Sequence, residues 1–272
     1  MARRGPCLDL RGAMGGGMTG TRLVRLSAWL AAWARGAGGG CLRVPEREVS
    51  EGELFILGEE DLRAKRYEKA RGAFQKLLRE YPDSKLRRKA LLRLADSFFQ
   101  EEEFEEAKFQ YRKFVELYPV TPDTPHAYYH LGMSDYQRLL AYDQDQANTR
   151  DALESFQKLM TRFPNSKFAK DARRRVRYLR YLLAQHDLFV ARFYHRRGAY
   201  VSAIPRYREL IASYKDMPRL RAEALFYLGE ALEEEDSPRK AAYAYQQLLR
   251  EHPQSGFADR ARKRVTRLNG RR

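Results

Sequence analysis

RYRELIASYKDM, residues 206–217, decides the fold because the chain repeats it. The phrase returns as AFQKLLREYPDS (73–84), QYRKFVELYPVT (110–121), SFQKLMTRFPNS (155–166) and AYQQLLREHPQS (244–255). Each copy has an aromatic in second place, an apolar residue three further on and an aromatic or His seven further on. Pro82, Pro119, Pro164 and Pro253 follow in four copies, and Lys215 stands at that place in the fifth. A period of this kind makes the question what an array holds rather than where an active site lies.

The second-place aromatics, Phe74, Tyr111, Phe156, Tyr207 and Tyr245, are 37, 45, 51 and 38 residues apart. A small residue lies four before each: Ala70, Ala107, Ala152, Ala203 and Ala241. Twelve before that come Gly58, Ala95, Ala191 and Gly229. In the third copy Gly132 fits if about eight residues are inserted, and the polar stretch YDQDQANT (142–149) supplies them. Small residues let two helices approach, the aromatic fills the space above them, and Pro cannot continue the second helix. This pattern resembles the tetratricopeptide repeat of two antiparallel helices. The expected fold class is all-α: a superhelical α-solenoid of about five hairpins over 51–268, since one hairpin cannot bury its apolar stripe alone. The repeats are placed at about 51–84, 88–121, 125–166, 184–217 and 222–255, with a capping helix at 256–268 and a basic tail at 269–272. Between the third and fourth, Ala172, Val176, Leu179 and Leu183 form one helical stripe and Arg173, Arg177 and Arg180 another.

The chain has 272 residues and a formal net charge of +16, which favours an anionic neighbour. No apolar run is long enough for a membrane span. Cys7 and Cys41 are the two cysteines, so nothing downstream of residue 41 forms a disulfide or thiolate metal site. Arg22 and Arg25 precede a short apolar run, LSAWLAAWA (26–34), and small residues 36–40 lead to Cys41. That order is the signature of a secretory signal peptide. Residues 1–41 are therefore expected to be a leader, and Cys41 resembles a bacterial lipoprotein cleavage and lipidation site. Gly38 replaces the usual aliphatic residue there and Arg35 interrupts the approach, so a Gly-rich leader with an incidental Cys is the alternative. Residues 42–50 read as a tether.

The stretch SFQKLMTRFPNSKFAKDARRRVRYLRYLLAQHDLFVARFYHRRGAYVSAIPRY (155–207) resembles the BamD family, the lipid-anchored component of the outer-membrane β-barrel assembly machinery. The FPNS turn before a long basic helix, the run LAQHDLFVARFYHRRGAYVSAI and the polar insertion in the third repeat carry the likeness. It covers roughly 52–268. The resemblance implies a non-enzymatic scaffold on the periplasmic face of the outer membrane, anchored by lipid on Cys41. It implies that the N-terminal repeats recognise unfolded outer-membrane proteins. It further implies docking of the C-terminal repeats onto a barrel-forming partner with periplasmic polypeptide-transport domains, in company with other assembly lipoproteins. Arg206 matches the family's basic docking residue, with Arg197 and Tyr200 in the same stretch. Pro205 departs from the family pattern, so the helix either starts late, near Ser202, or kinks. A second reading is a periplasmic repeat protein of the Tol–Pal coordinating type, which FYLGEALEEEDSPRKAAYAYQQLLREHPQS (226–255) also resembles; no heptad segment precedes residue 52. An intracellular repeat adaptor would require the leader to be an artefact.

Aligned on Gly58, Ala95 and Gly132, the groove-facing candidates are Phe55, Glu59 and Leu62, then Leu92, Asp96 and Phe99, then Tyr129, Met133 and Tyr136. These suit an extended peptide with aromatic side chains, or they pack against neighbouring repeats. His126 and His130 share one helical face but lack a third ligand, so groove or packing roles are expected rather than a metal. Glu101–103 and Glu233–235 read as solvated turns. The Arg-rich stretches at 173–175 and 260–264 suit anionic headgroups, an acidic partner or a solvated face; a secretory leader takes nucleic acid out of reach. No phosphate loop, nucleophile motif or framed carboxylate pair is present, so no catalytic site and no cofactor are expected.

Overall fold

The computed structural model describes residues 48–270, and every regular element among them is an α-helix. Eleven follow in order: α1 (Glu51–Arg63), α2 (Tyr67–Glu80), α3 (Arg87–Gln100), α4 (Phe104–Leu117), α5 (Thr124–Tyr136), α6 (Ala147–Arg162), α7 (Ala169–Arg196), α8 (Tyr200–Ser213), α9 (Pro218–Glu234), α10 (Pro238–Glu251) and α11 (Ala258–Asn269). Each packs on the helix before and the helix after, with lesser contact between α1 and α3, α3 and α5, and α7 and α9. Such nearest-neighbour stacking is a solenoid, and the expected all-α array of tetratricopeptide-like hairpins is the fold found. Cys7, Cys41 and the leader lie outside the described residues. Among those described, no helix is long and apolar enough to cross a membrane.

The spacing rule has a steric cause. A Cβ added to Gly58 would stand 2.5 Å from the Phe74 ring, one on Gly229 2.4 Å from Tyr245, and one on Gly132 3.0 Å from Phe156. Ala95 and Ala191 take the same position in α3 and α7, fully buried in the same cores as Tyr111 and Tyr207. The second small residue, from Ala70 to Ala241, is fully buried in every copy.

Four hairpins turn through three residues, the middle one left-handed: Lys65 (φ 58°), Glu102 (66°), Gly198 (70°) and Asp236 (48°). Paired backbone bonds close each turn, as from Arg66 N to Asp61 O (2.8 Å) and from Lys65 N to Leu62 O (3.1 Å). This is the Schellman closure, which satisfies the last carbonyls of the first helix. The third hairpin instead spans residues 137–146, where the Gln146 side chain donates to Ala141 O and Asn148 to Arg138 O. The Asp145 carboxylate accepts from Ala147 N, so α6 starts inside the stretch expected to be inserted.

Each second helix ends on the aromatic or His of the repeated phrase, with φ of −115 to −138° and ψ of 54 to 68°, outside the helical region, at Tyr81, Tyr118, Phe163, Tyr214 and His252. Proline pushes the residue before it out of the helical region. Tyr214 adopts the same break (φ −115°, ψ 54°) before Lys215, so packing of the ring closes this helix without proline. Pro205 lies inside α8, which begins at Tyr200; the late start near Ser202 is therefore corrected. The first turn is closed by Ala203 N donating to Ala199 O. Pro205 has no N–H to offer the carbonyl of Val201, and that residue is exposed to water, which relieves the loss.

The buried side chains form three clusters along the stack. α7 joins two of them. Ala172 and Leu179 belong to the core of the second and third hairpins, and Leu188 and Ala191 to that of the fourth and fifth. Its 28 residues contain neither Gly nor Pro, so the helix runs unbroken through residues 183–184, where the repeat register sets a boundary. At the N-terminal end Ser50 and Glu53 form a capping box on α1. Val49 packs on the first hairpin and its carbonyl accepts from Tyr81 OH (2.9 Å), so the last residues of the expected tether are part of the folded body.

Candidate partner-docking surfaces

The α7–α8 turn carries Arg197 and leads into α8, which holds Tyr200 and Arg206. Arg197 caps α7 and lies over the Phe193 ring at 4.6 Å. Arg206, two turns into α8, lies over Tyr194 at 4.9 Å, and the Phe193 and Tyr194 rings are 5.5 Å apart. Tyr200 is half-buried, its ring edge-on to His195 at 5.3 Å. Both guanidinium groups are exposed, and neither has an ion-pair partner among the described residues. Val201 is 72% exposed beside them, and Phe193 and Pro205 are also exposed. Stacking holds each cation while leaving its N–H fork free for a carboxylate.

The residues expected to line a groove divide. Leu62 and Leu92 are core residues, 8% and 7% exposed, each clustered with side chains of the next hairpin. Met133 is buried likewise. Phe55, Phe99, Tyr129 and Tyr136 remain partly exposed. Phe55 leans on Phe74, Phe99 meets His130 edge-on at 4.8 Å, Tyr129 stacks on Phe168 at 4.9 Å, and Tyr136 lies under Arg175 at 4.5 Å. Tyr129 OH donates to Asp171, which also receives Arg174 and Arg175. Partial burial works against ionisation, yet those hydrogen bonds hold the Asp171 carboxyl down at about 2.

A polar network ties the second hairpin to the third. Asp96 accepts from Tyr111 OH (2.7 Å) and Arg93 (2.9 Å), and His126 Nε2 lies 2.7 Å from it. Arg93 also reaches Glu59 on α1 at 2.6 Å. Burial alone would raise the Asp96 pKa; hydrogen bonds from His126, Tyr111 and Arg93 bring it below the ordinary value. His130 is 4.3 Å from His126, ring to ring, and sits among Phe99, Tyr111 and Phe168. Burial, then the neighbouring His126, lowers its pKa to about 4. Among the described residues no group of three or more His, Cys, Asp or Glu is arranged to hold a metal. The same relation recurs one repeat pair later, where Arg192 bonds Glu223 at 3.0 Å.

Glu233 overturns the reading of its stretch as a solvated turn. It accepts from Tyr245 OH at 2.7 Å and pairs with Arg264 and Arg267 of α11. The two Arg-rich stretches also find partners inside the array, Arg174 and Arg175 on Asp171 and Arg264 on Glu230. Arg260 lies over Phe226 at 4.1 Å. The Asp171 pairs lie within α7, whereas the Glu230 and Glu233 pairs cross between helices, which a view of single helices missed.

The fold defines an all-α solenoid of tetratricopeptide-like hairpins. The chain belongs to the outer membrane lipoprotein family YfiO, whose family model matches residues 47–244. It is similar to the outer membrane protein assembly factor BamD of Neisseria gonorrhoeae, 29% identical over 219 residues, covering 77% of this chain and 82% of that protein. It is also similar to BamD of Rickettsia prowazekii (strain Madrid E), 31% identical over 167 residues, covering 61% and 66%. Among solved structures, the TPR2AB domain of yeast Sti1 with pHSP90 is 16% identical, covering 80% of this chain and 82% of that one, with a TM-score of 0.42.

Proposed function

We propose that this chain is a non-enzymatic scaffold in the assembly of outer-membrane proteins, docking a barrel-forming partner through Arg206, Arg197 and Tyr200. The observation that carries the reading is the pair of unpaired guanidinium groups held over Phe193 and Tyr194, beside exposed Val201 and Pro205. A carboxylate presented by a partner would find two preset forks with an apolar margin. The names of the relatives supply the process, outer membrane protein assembly. Cys41 would carry the lipid that holds the array on the periplasmic face of the outer membrane. Phe55, Phe99, Tyr129 and Tyr136 would offer aromatic surface to an unfolded outer-membrane protein.

The test is co-purification with a barrel protein that carries polypeptide-transport domains. Arg206→Glu should weaken that complex by tenfold or more, about 1.4 kcal/mol or above, with an unchanged helical circular dichroism spectrum. An unaffected complex refutes the assignment of Arg206, and absence of the complex from the unaltered chain refutes the docking role.

A further inference from the structure

A second surface lies in the slot between α8 and α10, floored by α9. Its volume is about 570 Å³. Arg208 and Lys215 stand on one side and Arg239 and Lys240 on the other, all exposed, and none has a carboxylate partner among the described residues. Arg221, deeper in the slot, is bound to Glu251 at 2.7 Å. The floor is apolar: Leu228 and Leu232 are 7% and 5% exposed, with Ile211 at the side. No carboxylate lines it.

The repeat supplies its own comparison. The slot between α4 and α6 occupies the equivalent place one pair of hairpins earlier, with a volume of about 400 Å³. Four acids line it: Glu116, Asp135, Asp151 and Glu154. Three of them are paired, Lys158 on Glu154 at 2.6 Å and Lys108 on Asp135 and Asp151. By offset from the conserved aromatic and glycine, these four positions become Ala212, Leu232, Lys240 and Tyr243 in the later slot. Pro119, at the mouth of the earlier slot, becomes Lys215, so the irregular residue of the repeated phrase adds a cation where the others have a ring. All four lining acids are lost and Lys215 and Lys240 are gained, while Lys158 gives way to Gln247 and Arg162 to Glu251, which Arg221 holds, and the floor becomes more apolar. A solvated basic face would not need that floor.

We propose that the α8–α10 slot binds an acidic amphipathic segment of a partner polypeptide, one that seats an apolar side chain against Leu228 and Leu232 between flanking carboxylates. Charge complementarity selects the carboxylates, and the slot volume falls in the range of formed binding pockets. The floor residues are recessed below two helices, where an inserted side chain reaches them and a bilayer surface does not. This surface is separate from the Arg206 face: Arg206 leans toward Tyr194 of α7, while Arg208 faces α10.

The experiment titrates the full-length chain into a short fluorescein-labelled peptide of alternating Glu and Leu pairs, followed by fluorescence anisotropy. Binding should weaken with added salt and fall by roughly tenfold or more in the charge-reversal pair Arg239→Glu with Lys240→Glu. Ala212→Trp, which plugs the slot without altering charge, should abolish it. Arg112→Glu in the α4–α6 slot should leave it unchanged. Thermal melts matching that of the unaltered chain would show that the variants fold. Equal binding of a peptide with Lys in place of Glu overturns the proposal, as does an equal loss in Arg112→Glu. So does capture by phosphatidylglycerol vesicles that the slot variants abolish while peptide binding stays intact.

Discussion

Gly229 and Tyr245 contend for one space, and the glycine yields. With a Cβ at 2.4 Å from the ring, Gly229→Ala must push α9 and α10 apart or turn Tyr245 from its bond to Glu233. Overpacking of this kind costs about 1–3 kcal/mol, so the thermal midpoint should fall measurably. Gly132→Ala, at 3.0 Å from Phe156, should cost less. An equal effect at the two sites would break the link between steric distance and cost. His130 carries a second consequence. Its pKa is lowered from 6.5 to about 4, chiefly by burial, with His126 adding to the shift and Asp96 opposing it. Between those values the unfolded chain binds the extra proton, so the stabilisation is fully present above pH 6.5 and is lost as pH falls toward 4. The loss is on the order of 3 kcal/mol. His130→Phe keeps a ring in the aromatic cluster and should flatten the dependence of urea stability on pH in that window; an unchanged slope would place its origin elsewhere.

At the scale of helices, α8 departs furthest from expectation. Pro205 costs it a hydrogen bond to the Val201 carbonyl, yet the helix runs from Tyr200 to Ser213. Restoring the donor with Pro205→Ala should stabilise the chain by about 1–3 kcal/mol, read as a rise in thermal midpoint. A fall would mean that the ring's own contacts outweigh the lost bond. The hairpins were legible in the sequence because one steric event, an aromatic over a glycine or alanine, recurs at fixed offsets. A long basic helix after the FPNS turn was expected from the resemblance, but the continuity of α7 past the register boundary at residue 184 was not, because it depends on the lack of a breaker between 169 and 196. The groove was half legible. Position in a repeat tells which way Leu62, Leu92 and Phe99 point, but the next hairpin decides which of them it covers. Leu62 and Leu92 went to the core and Phe99 kept an exposed edge. The α8–α10 slot was missed because its signal is relative: it shows when Glu116, Asp135, Asp151 and Glu154 are laid against the same positions two repeats on.

Across the molecule, an overall net charge of +16 hides an uneven distribution. Many basic groups are engaged across hairpins, such as Arg71 with Glu101, Arg93 with Glu59 and Arg264 with Glu230. Those without carboxylate partners include Arg197 and Arg206 at the α7–α8 turn and the four cations of the α8–α10 slot. Both surfaces belong to the last two hairpins, while the partly exposed aromatics Phe55, Phe99, Tyr129 and Tyr136 belong to the first three. α7, about 42 Å long at 1.5 Å per residue, is among the described residues the one helix that contributes to the cores of both halves. It therefore sets a phase as well as a distance. Each residue of an α-helix advances the azimuth by about 100°, so removing Gln185 would turn one end of the array through more than a quarter circle relative to the other. Each end could keep its own hairpins. The deletion should split a single unfolding transition into two and change the small-angle scattering profile. One residue in the middle of a helix thus fixes the angle at which a chain held at one end is shown to whatever binds the other.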